Sequence, residues 1–400
     1  MKDLLKEYAA NERNEKWENL IKREKELYKR NNDIRSEFER DYTRVIHCNG
    51  YRRLKHKTQV FFSPENDHIC TRIEHVTHVE SVSYTIAKHF GLNAQLTRAI
   101  ATAHDLGHSP FGHQGEKILS EISQRDLGKI FWHEKNGLDF VEKIELLEDN
   151  LKNKQNLNLT YAVRDGIISH CGEIDENKLK PRDEYISLSR EYNVPNQYMP
   201  YTWEGCVVKI ADKISYLGRD IEDAITLGIL DEKLEDLYNL LQIDGSDVIN
   251  NTVIINNLIY DLCNNSNLEN GLTFSEKTFK LINDLKAFNL KNIYLNDKLK
   301  PSDRYFKLVI NEIYNTLKSA YAGKNTKENI KKMKKFYPGV FTEFEGWLSN
   351  YWNKERLDVL KNDILFNIDD EKEYCAAIIY YIAGMTDNFA INTYNKIIGF

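Results

Sequence analysis

TRIEHVTHVESVSYTIAKHFG, residues 71–91, running on into LNAQLTRAIATAHDLGHSP, residues 92–110, is the stretch that decides the fold. Ile73, Val76, Val79, Val82, Ile86 and Phe90 recur at three- and four-residue intervals, the period of one apolar face of an α-helix, and Gly91 supplies the stop. A second helix opens near Asn93 or Ala94, carries Leu96, Ile100 and Ala103, and runs into His104 and Asp105 before Gly107 and Pro110 break it. Only seven prolines and nineteen glycines interrupt 400 residues, which favours long helices over many short strands. The chain reads as all-α.

Outward from that stretch, Leu4, Leu5, Tyr8, Trp17, Leu20 and Ile21 in the charged segment from Asp3 to about Arg40 predict amphipathic helices, hence a helical N-terminal arm over residues 1–40. Further helices are expected at about 114–124, 133–149, 158–171, 203–228 and 231–243. The segment 172–200 holds three prolines and reads as a long loop. Residues 244–300 are rich in Asn, Asp and Lys, yet Val253, Ile254, Leu258 and Leu262 keep helical spacing. The tail from Tyr305 to Phe400 alternates helical stripes with charge, and the Lys-rich run at 327–335 reads as a solvated helix face. This organisation gives a core over 41–230 and a helical C-terminal extension over 231–400.

An apolar fraction of 41% with 29% charged residues excludes wholesale disorder, and no apolar run approaches the length that spans a bilayer. The N-terminus shows no signal-peptide pattern, so the cytoplasm is the expected location. Cys48, Cys70, Cys171, Cys206, Cys263 and Cys375 are scattered without a C-x-x-C pair, which predicts reduced thiols and no thiolate metal site. A net charge of −6 provides no global attraction to nucleic acid, so any phosphate ligand must be held by a local pocket.

The chemistry is concentrated in HDLGHSPFGHQGE, His104 to Glu116, which packs three histidines, an aspartate and a glutamate around a Gly/Pro break. Imidazole nitrogens and carboxylate oxygens suit divalent Mn, Mg, Fe, Co or Zn and an open hydrolytic site. Adjacent His104 and Asp105 reach one ion only near a helix end, so further ligands must come from other helices. His75 in TRIEHV and Asp212 in KIADKISY are the candidates. Arg72 shares a helix face with His75, and its planar guanidinium fits a triphosphate. Lys213 is a weaker phosphate candidate because it need not share Asp212's face, whereas Asp212, Tyr216 and Asp220 form one stripe. Arg52, Arg53, Lys55, His56 and Lys57 could line a nucleotide pocket, a subunit interface or a solvated face.

His75, then His104-Asp105, then Asp212 resembles the H…HD…D arrangement of the HD superfamily, which holds a divalent metal in a helical bundle. RRLKHKTQVFF at 52–62, TRIEHVTHV at 71–79, HDLGHSPFGHQGE at 104–116 and ADKISYLGRDIEDA at 211–224 resemble the dGTPase-like deoxynucleoside triphosphate triphosphohydrolases; AGMTDNFA at 383–390 is a further match. The resemblance implies hydrolysis of a deoxynucleoside triphosphate, dGTP first, to the deoxynucleoside and tripolyphosphate. It implies His113 and Glu116 as an acid/base pair, His133 near the phosphate and reacting water, and His108 beside the metal ligands or the phosphate. It also implies Gln59 on the sugar 3′-hydroxyl, Tyr216 under the deoxyribose where it leaves no room for a 2′-hydroxyl, and Asp220 on the sugar side.

The C-terminal region would complete the nucleotide pocket and the contacts of a homo-oligomer, tetramer or hexamer, with a nucleotide or single-stranded DNA as effector. Two positions depart from common bacterial members, which carry Asn at Glu134 and His at Arg219. The rival readings are an HD phosphohydrolase of nucleoside monophosphates or signalling nucleotides, and a nucleotide-sensing module without catalysis. The intact acid/base pair beside the metal ligands speaks against the last.

Overall fold

The computed structural model describes residues 2–26, 33–62, 66–171, 177–242, 251–352 and 356–399. Helix Arg72–Phe90 forms as its spacing predicts. The Glu74 carboxylate turns back to accept from the Thr71 backbone N–H at 2.7 Å, and Gly91 closes the helix at φ +77°, a conformation costly for other residues. Its apolar stripe packs against helix Ala94–Ala103 and against the 24-residue helix Trp203–Thr226, whose start is capped by Thr202 accepting from the Gly205 N–H at 3.0 Å. These three helices, with Glu37–His47 and Tyr161–Ser169 packed on Ala94–Ala103, form the bundle that carries the site.

Two apolar cores organise the described residues. The first runs from Leu5 to Ile293, because Leu258 and Leu262 of helix Asn251–Asn265 and Leu285 of helix Glu276–Asn289 bury against the same bundle. The second joins helix Gly112–Leu127, through Ile118, Leu119 and Ile122, to helices Lys300–Lys318, Pro338–Leu348, Glu371–Ala383 and Asp387–Ile398. The fold is all-α, and no helix among the described residues is long and apolar enough to cross a membrane.

Two local expectations change. Among the described residues before helix Glu37–His47, the N-terminal flank is helical only in the single turns Lys6–Tyr8 and Trp17–Leu20, because Asn11 and Asn14 side chains accept from the Arg13 and Lys16 backbone N–H groups and divert the chain. Leu5, Ala9, Ala10 and Leu20 nevertheless bury on the bundle. The helix expected over 133–149 ends in a wide turn at Phe140–Ile144 and becomes a hairpin, Leu146–Glu148 against Lys154–Asn156. Glu145 turns inward to accept from the Gly50 N–H, and Asp149 closes the hairpin loop by accepting from the Leu151 and Asn153 N–H groups. The 177–200 segment is irregular apart from the turn Leu188–Glu191; residues 172–176, and 243–250 of the Asn-rich stretch, lie outside the described residues.

Candidate active site

The HD pair sits at the end of helix Ala94–Ala103, in a tight turn at His104–Gly107. Gly107 is required there, since a Cβ would come within 2.1 Å of the His133 carbonyl and 2.2 Å of the Gly137 nitrogen. That close approach brings helix His133–Asp139 onto the turn, where the Asn136 amide donates to the Gly107 carbonyl at 2.6 Å. Phe111 takes φ +62°, uncommon for an aromatic residue, so that helix Gly112–Leu127 can start. The helix opens two residues earlier than Gln114 and places His113 and Glu116 in its first turns.

Four side chains from two helices and the turn converge. His75 Nε2 is 2.9 Å from Asp212 Oδ1 and 3.8 Å from Asp105 Oδ2, while His104 Nε2 is 3.4 Å from Asp105 Oδ1 and 3.9 Å from Asp212 Oδ1. His104 Nδ1 faces the Ala101 carbonyl at 2.7 Å, and its buried Nε2 has no hydrogen-bond partner among the described residues. Burial alone would raise Asp105, but His104, His108 and Arg72 hold it well below the usual carboxylate range; His75 outweighs burial at Asp212 in the same way. A cluster of two imidazoles and two anionic carboxylates with an orphaned nitrogen is able to hold a divalent cation.

A second group adjoins it. His108 Nε2 is 3.1 Å from Asp105 Oδ1, and its ring stacks on His133 with centroids 3.8 Å apart. Burial, followed by the neighbouring Arg72 and His133 charges, holds His108 well below the usual histidine range. Glu116 accepts from the His133 backbone N–H at 2.9 Å, and its carboxylate lies 3.0 Å from His133 Nδ1 and 3.5 Å from His113 Nδ1. Burial works against charge on His133, but Glu134 and Glu116 outweigh it and push its pKa up to about 10. Glu134 is almost fully buried, and burial raises its carboxyl.

His75, Asp105 and Asp212 of the first group and His108, His113 and His133 of the second line one cavity of about 710 Å³. Gln59, Tyr216, Asp220 and Tyr294 line the same cavity, as do Phe111 and Phe306, whose rings stack at 4.3 Å. Tyr294 donates to Asp220 Oδ2 at 2.5 Å, and burial lifts the Asp220 pKa to about 6. Arg72 lines the cavity too, but much of its fork is engaged by protein. It donates to Asp105 Oδ2 at 2.9 Å, to the Gln59 carbonyl at 3.0 Å and to the Thr58 carbonyl at 3.2 Å. Lys213 is buried and does not line the cavity, because one residue on from Asp212 is a rotation of about 100° around the helix. Arg219 turns to Glu222 at 2.8 Å. Of the basic run, Lys57 is buried with its ammonium on the His108 and Ala383 carbonyls and Arg53 pairs with Glu145, so these two are structural anchors.

Three residues in or beside this site escaped sequence reading. His170 is buried, lines the cavity and sits edge-on to His104 with centroids 4.9 Å apart. Its signal was available: IISH ends a helix as ATAH does. Tyr294 carried no signal in an Asn/Lys-rich stretch. Asp387, within the quoted AGMTDNFA, accepts from the Thr58 N–H and hydroxyl at 2.8 and 2.5 Å and from the Phe111 N–H at 2.8 Å, so it ties the segment leading into Gln59 to Phe111, both of which line the cavity.

Residues 72–217 match the HD domain family. The chain is 33% identical to a deoxyguanosinetriphosphate triphosphohydrolase-like protein of Caldanaerobacter subterraneus subsp. tengcongensis, over 91% of this chain and 86% of that protein. A Rickettsia prowazekii protein of the same description is also 33% identical, over 91% of this chain and 92% of its own length, and one from Clostridium tetani is 34% identical over 80% and 84%. With the HD cluster assembled as above and the likeness running through nearly the whole chain, this protein belongs to the deoxyguanosinetriphosphate triphosphohydrolase-like family of HD-domain proteins.

Proposed function

We propose that the chain hydrolyses deoxynucleoside triphosphates, dGTP foremost, to the deoxynucleoside and tripolyphosphate. One observation carries the reading: a single cavity is lined by members of a cation-binding cluster, by the histidines of an acid/base group, and by a tyrosine–carboxylate pair suited to a sugar. The relatives' description as deoxyguanosinetriphosphate triphosphohydrolase-like proteins supports the substrate class.

In this reading His75, His104, Asp105 and Asp212 hold one divalent ion, Mn, Mg, Co, Fe or Zn. When bound, such an ion lowers the pKa of water and offsets phosphate charge. Water attacks the α-phosphorus and the bond from that phosphorus to the 5′-oxygen breaks. His113, exposed to the cavity and held by Glu116, passes the proton to the leaving 5′-oxygen. His133, set between the Glu116 and Glu134 carboxylates, faces the developing phosphoryl charge, and His108, stacked on it, braces Asp105. Arg72 fixes Asp105 and the Gln59 segment and offers its remaining donors to phosphate. Gln59, Tyr216 and Asp220 take the sugar, with Tyr216 against its 2′ edge. Lys213 has no phosphate role in this scheme.

The C-terminal region contributes Asn283, Lys286, Asn289 and Asp303 to the cavity, which supports its part in completing the nucleotide pocket. Six free, buried cysteines support a reducing, cytoplasmic setting. The reading extends to a homo-oligomer, decided by light scattering on the purified protein, and to activation by a nucleotide or single-stranded DNA. The test of function is incubation with each deoxy- and ribonucleoside triphosphate and Mn or Mg, with products separated by anion exchange. Tripolyphosphate from dGTP is expected; orthophosphate or pyrophosphate as the first product overturns the reading.

A further inference from the structure

The residues assigned above take the phosphates and the sugar; the base has none. Helix Lys300–Lys318 turns one face to the cavity, where Leu299, Ser302, Asp303 and Phe306, at intervals of three, one and three residues, all line it. Phe306 continues into an aromatic wall. Its ring stacks on Phe111 at 4.3 Å and meets Phe62 edge-on at 5.6 Å, and both partners line the cavity as well. An aromatic surface takes the flat face of any base without choosing among them, so the choice falls to a polar group.

Asp303 stands one turn before Phe306 on the same face. Five carboxylates line the cavity. Asp105 and Asp212 belong to the cation cluster, Glu134 lies 3.5 Å from His133 Nδ1, and Asp220 accepts from Tyr294. Asp303 is the fifth, and among the described residues it accepts no hydrogen bond and pairs with no cation within 4 Å. Burial raises its carboxyl, and only the more distant Lys117 ammonium pulls the other way. The helix dipole favours an anion in this first turn, but a carboxylate turned to solvent would satisfy that equally. Its place on the cavity wall calls for a donor that the protein does not supply.

We infer that Asp303 reads the base, and that guanine is the base it selects. The inference rests on the nucleotide reading of the cavity. A carboxylate offers two adjacent acceptors and no donor. Guanine alone among the four DNA bases presents two adjacent donors, N1–H and the 2-amino group, on its pairing edge, so it makes the two-point contact. Adenine and cytosine each set a ring-nitrogen lone pair beside their amino group, and thymine flanks its N3–H with two carbonyl oxygens. Each of these three turns a lone pair toward the carboxylate, so the selection uses repulsion as well as attraction.

The test is binding, measured apart from turnover. Chelator-treated protein is titrated in a calorimeter with dGTP, dATP and dITP, the last being dGTP without its 2-amino group. Wild type should hold dGTP about 10- to 150-fold tighter than dATP, the ratio that hydrogen bonds to a charged acceptor support, with dITP between them. Asp303→Asn, whose amide accepts from the adenine amino group and donates to its N1, should abolish that preference and tighten dATP. Arg304→Gln, at the exposed neighbouring position, should leave it unchanged. Equal binding of dGTP and dATP by wild type, dITP held as tightly as dGTP, or a preference that survives in Asp303→Asn overturns the base reader whatever reaction the protein catalyses. The expected binding pattern with no tripolyphosphate formed from dGTP overturns the hydrolytic reading and leaves Asp303 standing. No binding of any triphosphate overturns both.

Discussion

Replacing Asp387 by alanine removes the acceptor of three donors at once. The Thr58 N–H, the Thr58 hydroxyl and the Phe111 N–H all point at its carboxylate, which is 4% exposed, so water cannot readily replace it. A hydrogen bond to a charged group contributes about 1.5–3 kcal/mol, and two of the three share one residue, so their losses overlap instead of adding. Phe111, at φ +62°, depends on this acceptor to hold an unfavourable backbone. A stability loss of about 3–4 kcal/mol is expected for Asp387→Ala, at the upper end for one substitution. Urea unfolding followed by circular dichroism measures it. Phe111 lines the cavity and Thr58 precedes Gln59 there, while the cation cluster hangs on other helices, so under the proposed function KM should rise with bound metal unchanged. A loss below about 1 kcal/mol, or metal loss at normal KM, would refute the latch.

His113→Ala should retain metal and nucleotide but lose kcat by about 10²- to 10⁴-fold, the range for removing a general acid or base; near-normal kcat would reduce it to a surface histidine. Tyr216→Ala should narrow the kcat/KM ratio between dGTP and GTP by about 5- to 150-fold, equivalent to roughly 1–3 kcal/mol for an unpaired buried hydroxyl, and a ratio that does not move excludes the steric gate. Asp220→Asn should stabilise the metal-free protein in a pH-dependent way. The folded carboxyl titrates near 6 against 3.8 for the free group, so its favourable contribution is complete below pH 3.8 and is lost as pH rises through 6. That shift is worth about 3 kcal/mol, so denaturation midpoints should separate at pH 8 and converge near pH 4; an equal gap at both pH values contradicts the assignment.

The bundle and the cation cluster were legible because both rest on local signals. Helix periodicity placed Arg72–Phe90 and Trp203–Thr226 nearly to the residue, and the density of HDLGHSPFGHQGE marked the chemistry. The illegible parts depend on contacts distant in sequence. Asp387 meets Thr58 across 329 residues and Tyr294 meets Asp220 across 74. The hairpin after Phe140–Ile144 turns on Glu145 finding Gly50, which no window around 145 reveals. Arg72 had the right face, but only the structure shows that Asp105 and two carbonyls occupy much of its fork. His170 shows a different limit. A lone histidine at a helix end is unremarkable until its twin at His104 is seen to use the same tether.

The central claim is hydrolysis at the α-phosphorus, and one labelling measurement addresses it. Purified protein turns over dGTP with Mn in ¹⁸O-enriched water, and the products are separated and weighed by mass spectrometry. The account predicts one ¹⁸O in tripolyphosphate and none in deoxyguanosine, since the incoming oxygen stays on phosphorus while the 5′-oxygen leaves with the sugar. Label in the deoxyguanosine, or label in orthophosphate or pyrophosphate released before any tripolyphosphate, would contradict it.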